Sequence, residues 1–161
     1  MNAKLWSVIA LLFMLLAGVA VYRAWPLLFP EVVMSATLDP RCNLRAGACS
    51  SLLGESREVR FGIEPRDIPP IRPLALRVEA RGFDVQSVEV DFVGVDMNMG
   101  FNRPQLTRQD DGSYAGTATL PVCVRDVMQW EARVLLRTGA GLVSVPYRFL
   151  TAGPGAQLPA E

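Results

Sequence analysis

The stretch Gln129-Trp-Glu-Ala-Arg-Val-Leu-Leu-Arg137 alternates apolar residues with polar or charged ones along most of its length. Successive side chains of a β-strand point to opposite faces, so Trp130, Ala132, Val134 and Leu136 share one face. A period of two over such a length predicts a strand with one face in the core and the other toward solvent.

The same alternation recurs before and after this stretch. It occupies residues 58–64, 74–80, 87–92 and 142–150, and shorter apolar runs flank the turn Asp110-Asp111-Gly112. The residues predicted to face the core there are Val59, Phe61, Ile63, Leu74, Leu76, Val78, Ala80, Val88, Val90, Phe92, Val143, Val145, Tyr147 and Phe149. An Asp-Gly pair between apolar runs is a strong hairpin signal. About seven strands separated by regular turn signals predict a mainly β protein with an antiparallel sandwich.

The N-terminus carries a long apolar segment. Leu5–Val21 has 17 residues without a charge, between Lys4 and Arg23. A helix of that length extends about 26 Å, close to the lower limit for crossing a membrane. The run exceeds the ~7–15-residue core of a signal peptide, which favours an uncleaved anchor over a signal peptide cleaved near Gly18–Ala20. We therefore expect a single-pass protein with its N-terminus in the cytoplasm and its β domain outside.

These patterns divide the chain into four parts. We predict a membrane anchor or signal peptide over residues 1–25 and a stalk with a cysteine loop over residues 26–57. The sandwich follows over residues 58–150, and a flexible Gly/Pro/Ala-rich tail over residues 151–161.

The composition excludes several functional classes. Lys+Arg and Asp+Glu are both 16, so no net charge attracts nucleic acid. The sequence has no histidine, which excludes a Ser-His-Asp triad, a histidine-ligated zinc site and a proximal-histidine haem site within this chain. No other catalytic constellation stands out, so we predict that the protein is not an enzyme.

The three cysteines suggest one disulfide. Cys42 and Cys49 flank a short glycine-containing loop that could close as a disulfide in an oxidising compartment. Cys123 could instead pair with either of them, because three cysteines allow three single-bridge pairings. We favour the Cys42–Cys49 pairing, which leaves Cys123 as a free thiol or a metal ligand.

Four sulfur atoms form the one candidate metal site. Met97 and Met99 are two residues apart and would share a face if they lie on a strand. Cys123 and Met128 add two more sulfur atoms if the fold brings these segments together. Thioethers are soft, neutral ligands that suit Cu(I), but methionine also fills irregular gaps in cores. The sequence leaves both a sulfur-only Cu(I) site and simple packing open.

Short motifs resemble those of a known group. Met97-Asn98-Met99-Gly100, the hairpin Asp110–Gly116 and the Trp130 strand, behind an apolar N-terminus, resemble YtkA-like and FixH-like extracytoplasmic domains over roughly residues 58–150. The resemblance implies an immunoglobulin-like sandwich, a role in bacterial copper handling or cytochrome oxidase maturation, and Met97 and Met99 as Cu(I) ligands. The chain departs from that pattern in lacking histidine and in having Cys123 in the following segment.

The resulting expectation is a single-pass protein of the bacterial inner membrane with a periplasmic β domain. It would bind Cu(I) through sulfur ligands and act with an oxidase-assembly or copper-transfer protein. The alternative is a metal-free structural or interaction domain that docks a membrane complex.

Overall fold

The computed structural model describes residues 3–28, 32–122, 125–153 and 155–158, and comprises one helix and nine strands in those ranges. The elements are α1 (Ala3–Leu28), β1 (Val32–Ser35), β2 (Cys49–Leu52), β3 (Glu58–Glu64), β4 (Leu74–Arg81), β5 (Val85–Gly94), β6 (Gln105–Arg108), β7 (Tyr114–Ala118), β8 (Val127–Thr138) and β9 (Gly141–Ala152).

The strands form one mixed sheet in the order β1-β9-β8-β5-β6-β7-β4-β3-β2. The prediction of a mainly β chain with one N-terminal helix is confirmed, and the seven predicted strands correspond to β3–β9. Two further strands, β1 and β2, lie in the segment predicted as stalk and cysteine loop, so the strand number was underestimated. The prediction of a purely antiparallel arrangement was also wrong, because β1 pairs with β9 in parallel.

The short strand β6 makes the sheet curl. Its first residues pair with β5, with Leu106 opposite Val88, and its last residues pair with β7, with Arg108 opposite Tyr114. The inner faces of the two halves of the sheet therefore meet. The rings of Phe61 on β3 and Tyr147 on β9 are 5.3 Å apart between centroids.

The core consists of the inward residues of both halves. Of the eighteen apolar residues named above as facing the core, on β3, β4, β5, β8 and β9, seventeen are buried and Ala80 is half-buried. The Tyr147 hydroxyl donates a hydrogen bond to the Val59 carbonyl at 2.8 Å, linking β9 to β3 across the core. Burial raises the pKa of Tyr147 to about 12, so this donor keeps its proton at neutral pH.

The disulfide between Cys42 and Cys49 is present, as predicted. The Cα atoms are 5.6 Å apart, and the bridge closes the loop that leads from β1 to β2. Both cysteines pack against the edge of the core cluster. The bridge therefore fixes the start of β2 beside β3, where Cys49 pairs with Phe61.

Replacing both Cys42 and Cys49 with serine should lower the free energy of unfolding by about 2–3 kcal/mol. A cross-link that closes a loop of this length removes roughly that much conformational free energy from the unfolded chain. Denaturant titration of the wild type and the double variant measures the loss. Thiol titration of the denatured, unreduced wild type should find one thiol; three thiols would contradict the bridge.

Helix α1 forms a unit separate from the β domain. Within it, the segment Trp6–Arg23 has a mean hydropathy of 1.9 and is long and apolar enough to cross a membrane. The helix ends at Leu28, past the 1–25 range predicted for the anchor.

Candidate functional site

The candidate site lies where β5 ends and β8 begins. Gly94 is the last residue of β5 and stands opposite Trp130 in the register with β8. The backbone nitrogen of Val95 donates a hydrogen bond to the carbonyl of Gln129 at 3.0 Å. This bond fixes the start of the loop that carries Met97 and Met99 beside the start of β8, which carries Met128.

Met99 and Met128 converge on the space above Gly94. A Cβ atom built on Gly94 would lie 2.5 Å from the methyl carbon of Met128 and 3.0 Å from Cγ of Met99. The Met97 carbonyl oxygen would also contact that atom. Two thioether side chains from segments some thirty residues apart therefore reach the same point, and they can do so because residue 94 has no side chain.

The three methionines differ in their exposure to solvent. Met128 has only 3% of its surface exposed to solvent, and Met99 is half-buried against the core. Met97 is 37% exposed. Residues 95–104 lie outside the strands, so the condition under which Met97 and Met99 would share a strand face is not met. Their two-residue spacing therefore places Met99 against the core and leaves Met97 at the surface.

Turn geometry shapes the loop between β5 and β6. The side-chain oxygen of Asn98 accepts a hydrogen bond from the backbone nitrogen of Gly100 at 2.9 Å, and Gly100 has a φ of +82°. That φ suits glycine and reverses the chain directly after Met99. The amide of Asn102 donates to the carbonyl of Thr119 at 3.0 Å, which ties the far end of the loop to the segment after β7.

Two ion pairs connect the loop that carries Met97 and Met99 to neighbouring segments. Arg125 lies 3.6 Å from Asp96, and this pair connects the loop carrying Met97 to the segment before Met128. Arg103 lies 2.9 Å from Asp91 and 5.4 Å from the centroid of the Phe101 ring. The hydrogen bond with Asp91 raises the pKa of Arg103 and holds the end of the loop against β5.

Asp91 is more buried than its place in the sequence pattern indicates. It lies between the inward residues Val90 and Phe92, so the alternation indicated a solvent-exposed strand face. Only 9% of its surface is exposed to solvent, because Arg103 covers it. The nearby Glu131 has the same exposure and contacts Arg133 at 2.7 Å and Arg148 at 2.9 Å. Burial opposes its charge, but the hydrogen bonds from both arginines hold the pKa of Glu131 below its usual value.

The fourth predicted ligand, Cys123, lies outside the described residues. Among the predicted ligands that are described, the structure brings Met99 and Met128 together and places Met97 on the same loop. In the described part of the chain, no cluster of three or more His, Cys, Asp or Glu side chains could hold a metal ion. The side chains that meet at Gly94 are thioethers, and thioethers as ligands suit soft monovalent ions rather than zinc, calcium or magnesium.

Comparison with known proteins gives no relative: no family model, no curated protein and no solved structure matches the chain. Any functional assignment therefore depends on the geometry of the site itself.

Proposed function

We propose that this protein is a non-enzymatic, single-pass protein of the bacterial inner membrane whose periplasmic β domain binds Cu(I) as cargo. The ligands would be the thioethers of Met97, Met99 and Met128 together with the sulfur of Cys123. Its role would lie in copper handling or cytochrome oxidase maturation, with an oxidase-assembly or copper-transfer protein as partner. The curled sheet would be a variant of the immunoglobulin-like sandwich that the sequence motifs suggest.

The convergence of Met99 and Met128 above Gly94 is the observation that carries this proposal. Packing alone needs apolar volume there, which leucine supplies with fewer rotatable bonds than methionine. Two thioether side chains that meet at a residue without a side chain bring two soft donors close together. A Cu(I) ion needs such donors, and they need no proton loss to bind it.

Two features support the location. The segment Trp6–Arg23 has the length and hydropathy of a membrane span. The disulfide between Cys42 and Cys49 is the kind of bond that persists in oxidising compartments such as the bacterial periplasm. Both features fit the proposed arrangement, a helix in the inner membrane with the β domain on the periplasmic side.

The competing function is a metal-free interaction domain that docks a membrane complex. Exposed apolar side chains in the loop between β5 and β6, residues 95–104, favour the interaction domain: Phe101 is 84% exposed and Val95 is 39% exposed. In that case Met99 and Met128 would serve only as packing, and their sulfur atoms could be replaced without functional loss.

Substitution of the sulfur atoms at nearly constant volume separates the two functions. We expect Met99→Leu and Met128→Leu each to lower the Cu(I) affinity of the detergent-solubilised full chain by at least about tenfold, equivalent to 1.4 kcal/mol. Volume-conserving swaps of this kind usually cost less than about 1.5 kcal/mol in stability, so the fold should persist. Competition with a chromogenic Cu(I) chelator under reducing conditions gives the affinity.

Met34→Leu is the matched control. Met34 is half-buried against the core, like Met99, but contacts Arg57 and lies in β1. Its replacement should leave the affinity unchanged. Negligible Cu(I) binding by the wild type, or equal binding by all three variants, would contradict the copper proposal and favour the metal-free domain. Cys123→Ser, tested in parallel, determines whether the thiol contributes.

A further inference from the structure

The side chains of the three methionines near Gly94 belong to residues of very unequal solvent exposure. Met97 is 37% exposed to solvent, whereas Met128 is only 3% exposed. Met99 lies between them and is half-buried against the core. A reagent dissolved in water therefore meets the side chain of Met97 first and is kept from Met128 by the packed core.

Exposed thioethers react with peroxides. The distal oxygen of hydrogen peroxide is transferred to the sulfur, the O–O bond breaks, an S=O bond forms and water leaves. The sulfur loses two electrons and the peroxide gains them. The product is a polar sulfoxide, which no longer offers a soft thioether donor and which reductases convert back to methionine.

The loop around Met97 can accommodate this change. It is fixed at its start by the bond from Val95 to Gln129 and near its end by the bond from the Phe92 nitrogen to the Asn102 carbonyl. Met97 lies between these fixed points and outside the core cluster, so an added oxygen need not disturb the sheet. Oxidation of the buried Met128, in contrast, would place a polar group inside the core at a cost in stability.

We propose that Met97 is a reversible peroxide-modification site that turns the soft-metal site off while the fold stays intact. The inference rests on the proposed function for its effect on Cu(I), but the site of modification is independent of it. Hydrogen peroxide is the oxidant, and a methionine sulfoxide reductase would restore the thioether.

Peptide mapping by mass spectrometry tests the modification directly. The full chain in detergent, free of metal, is treated with hydrogen peroxide and sampled over time. We expect Met97 to be oxidised at least about tenfold faster than Met128, with the half-buried Met34 as an internal reference of intermediate rate. Oxidation of Met97 no faster than that of Met128 would overturn the proposal whatever the copper result.

The Cu(I) affinity of the oxidised protein tests the switch. We expect a loss of at least about fivefold after brief peroxide treatment, and recovery after the two methionine sulfoxide reductases, one for each sulfoxide epimer, which do not act on cysteine. The measurement is made in a Cys123→Ser background, because peroxide also oxidises thiols, and in Met97→Leu the same treatment should then leave the remaining affinity unchanged. An unchanged affinity of the Met97-oxidised wild type would overturn the switch, whereas absence of Cu(I) binding before any oxidation would instead contradict the proposed function.

Protection by silver gives a separate readout. Ag(I) has the soft character of Cu(I) but does not cycle with peroxide, so it does not generate radicals. Bound Ag(I) should slow the oxidation of Met97 at least about fivefold and leave that of Met34 unchanged. Equal rates for Met97 with and without Ag(I), in a protein that binds Ag(I), would exclude Met97 from the ligand set and overturn its role as the switch.

Discussion

Trp130→Ala should lower the free energy of unfolding of the β domain by about 3–5 kcal/mol, the range for truncating a buried aromatic side chain. Trp130 is only 1% exposed to solvent and is among the largest fully buried side chains. Its indole nitrogen donates a hydrogen bond to the hydroxyl of Thr151 at 3.0 Å, so the truncation also leaves a buried hydroxyl without that donor. Domains of this size have a stability of about 5–15 kcal/mol, and a large share would be lost.

Chemical denaturation followed by far-ultraviolet circular dichroism measures this loss without relying on tryptophan fluorescence. Trp6→Ala is the control, because Trp6 is 64% exposed on α1 and outside the β domain. Its replacement should leave the denaturation midpoint unchanged. A loss below about 0.5 kcal/mol for Trp130→Ala, the scale of an ordinary surface substitution, would contradict the burial of this side chain.

Gly94→Ala should impair both packing and Cu(I) binding. The added methyl group would meet the Met128 methyl, Cγ of Met99 and the Met97 carbonyl oxygen, the last of which belongs to the backbone and cannot rotate away. Overpacking of this kind costs about 1–3 kcal/mol. If the methionines move apart to relieve the contact, the affinity for Cu(I) falls by about tenfold for each 1.4 kcal/mol of binding free energy lost.

Gly47→Ala provides the matched glycine control. A Cβ atom at Gly47 would meet nothing within 4 Å, and its backbone lies outside the left-handed region. We expect no effect of that change on affinity and little on stability. Chelator competition and denaturant titration on both variants check the prediction. Wild-type affinity in Gly94→Ala, at any stability, would mean that the space above Gly94 plays no part in binding.

The strands that local alternation predicts are those with one face in the core. The structure has strands close to the predicted ranges at β3, β4, β5, β8 and β9. Their sequences alternate apolar and polar residues because one face of each strand is buried. Strand β1 escaped because its four residues, Val32–Ser35, are mostly exposed and pair with residues more than one hundred positions away. No local pattern encodes such a pairing.

The site was predictable only in its chemistry. Soft sulfur donors were evident from residue type, but the sequence does not show that Met128 reaches Met99. That contact depends on the register that places Gly94 opposite Trp130 and on the missing side chain at position 94. The exposure of Met97 likewise follows from a turn at Asn98–Gly100, which interrupts the alternation that would have paired Met97 with Met99.

The register of β9 has a practical consequence for handling the protein. Its early residue Leu142 pairs with Val32, where the domain begins, and its late residue Thr151 pairs with Met128. These two positions are about 30 Å apart along the strand. A polyhistidine purification tag fused directly after Gly153 would therefore begin near Met128 and would bring imidazoles close to the methionines. An affinity tag fused ahead of Val32 would start at the opposite end of β9 and interfere less with metal measurements.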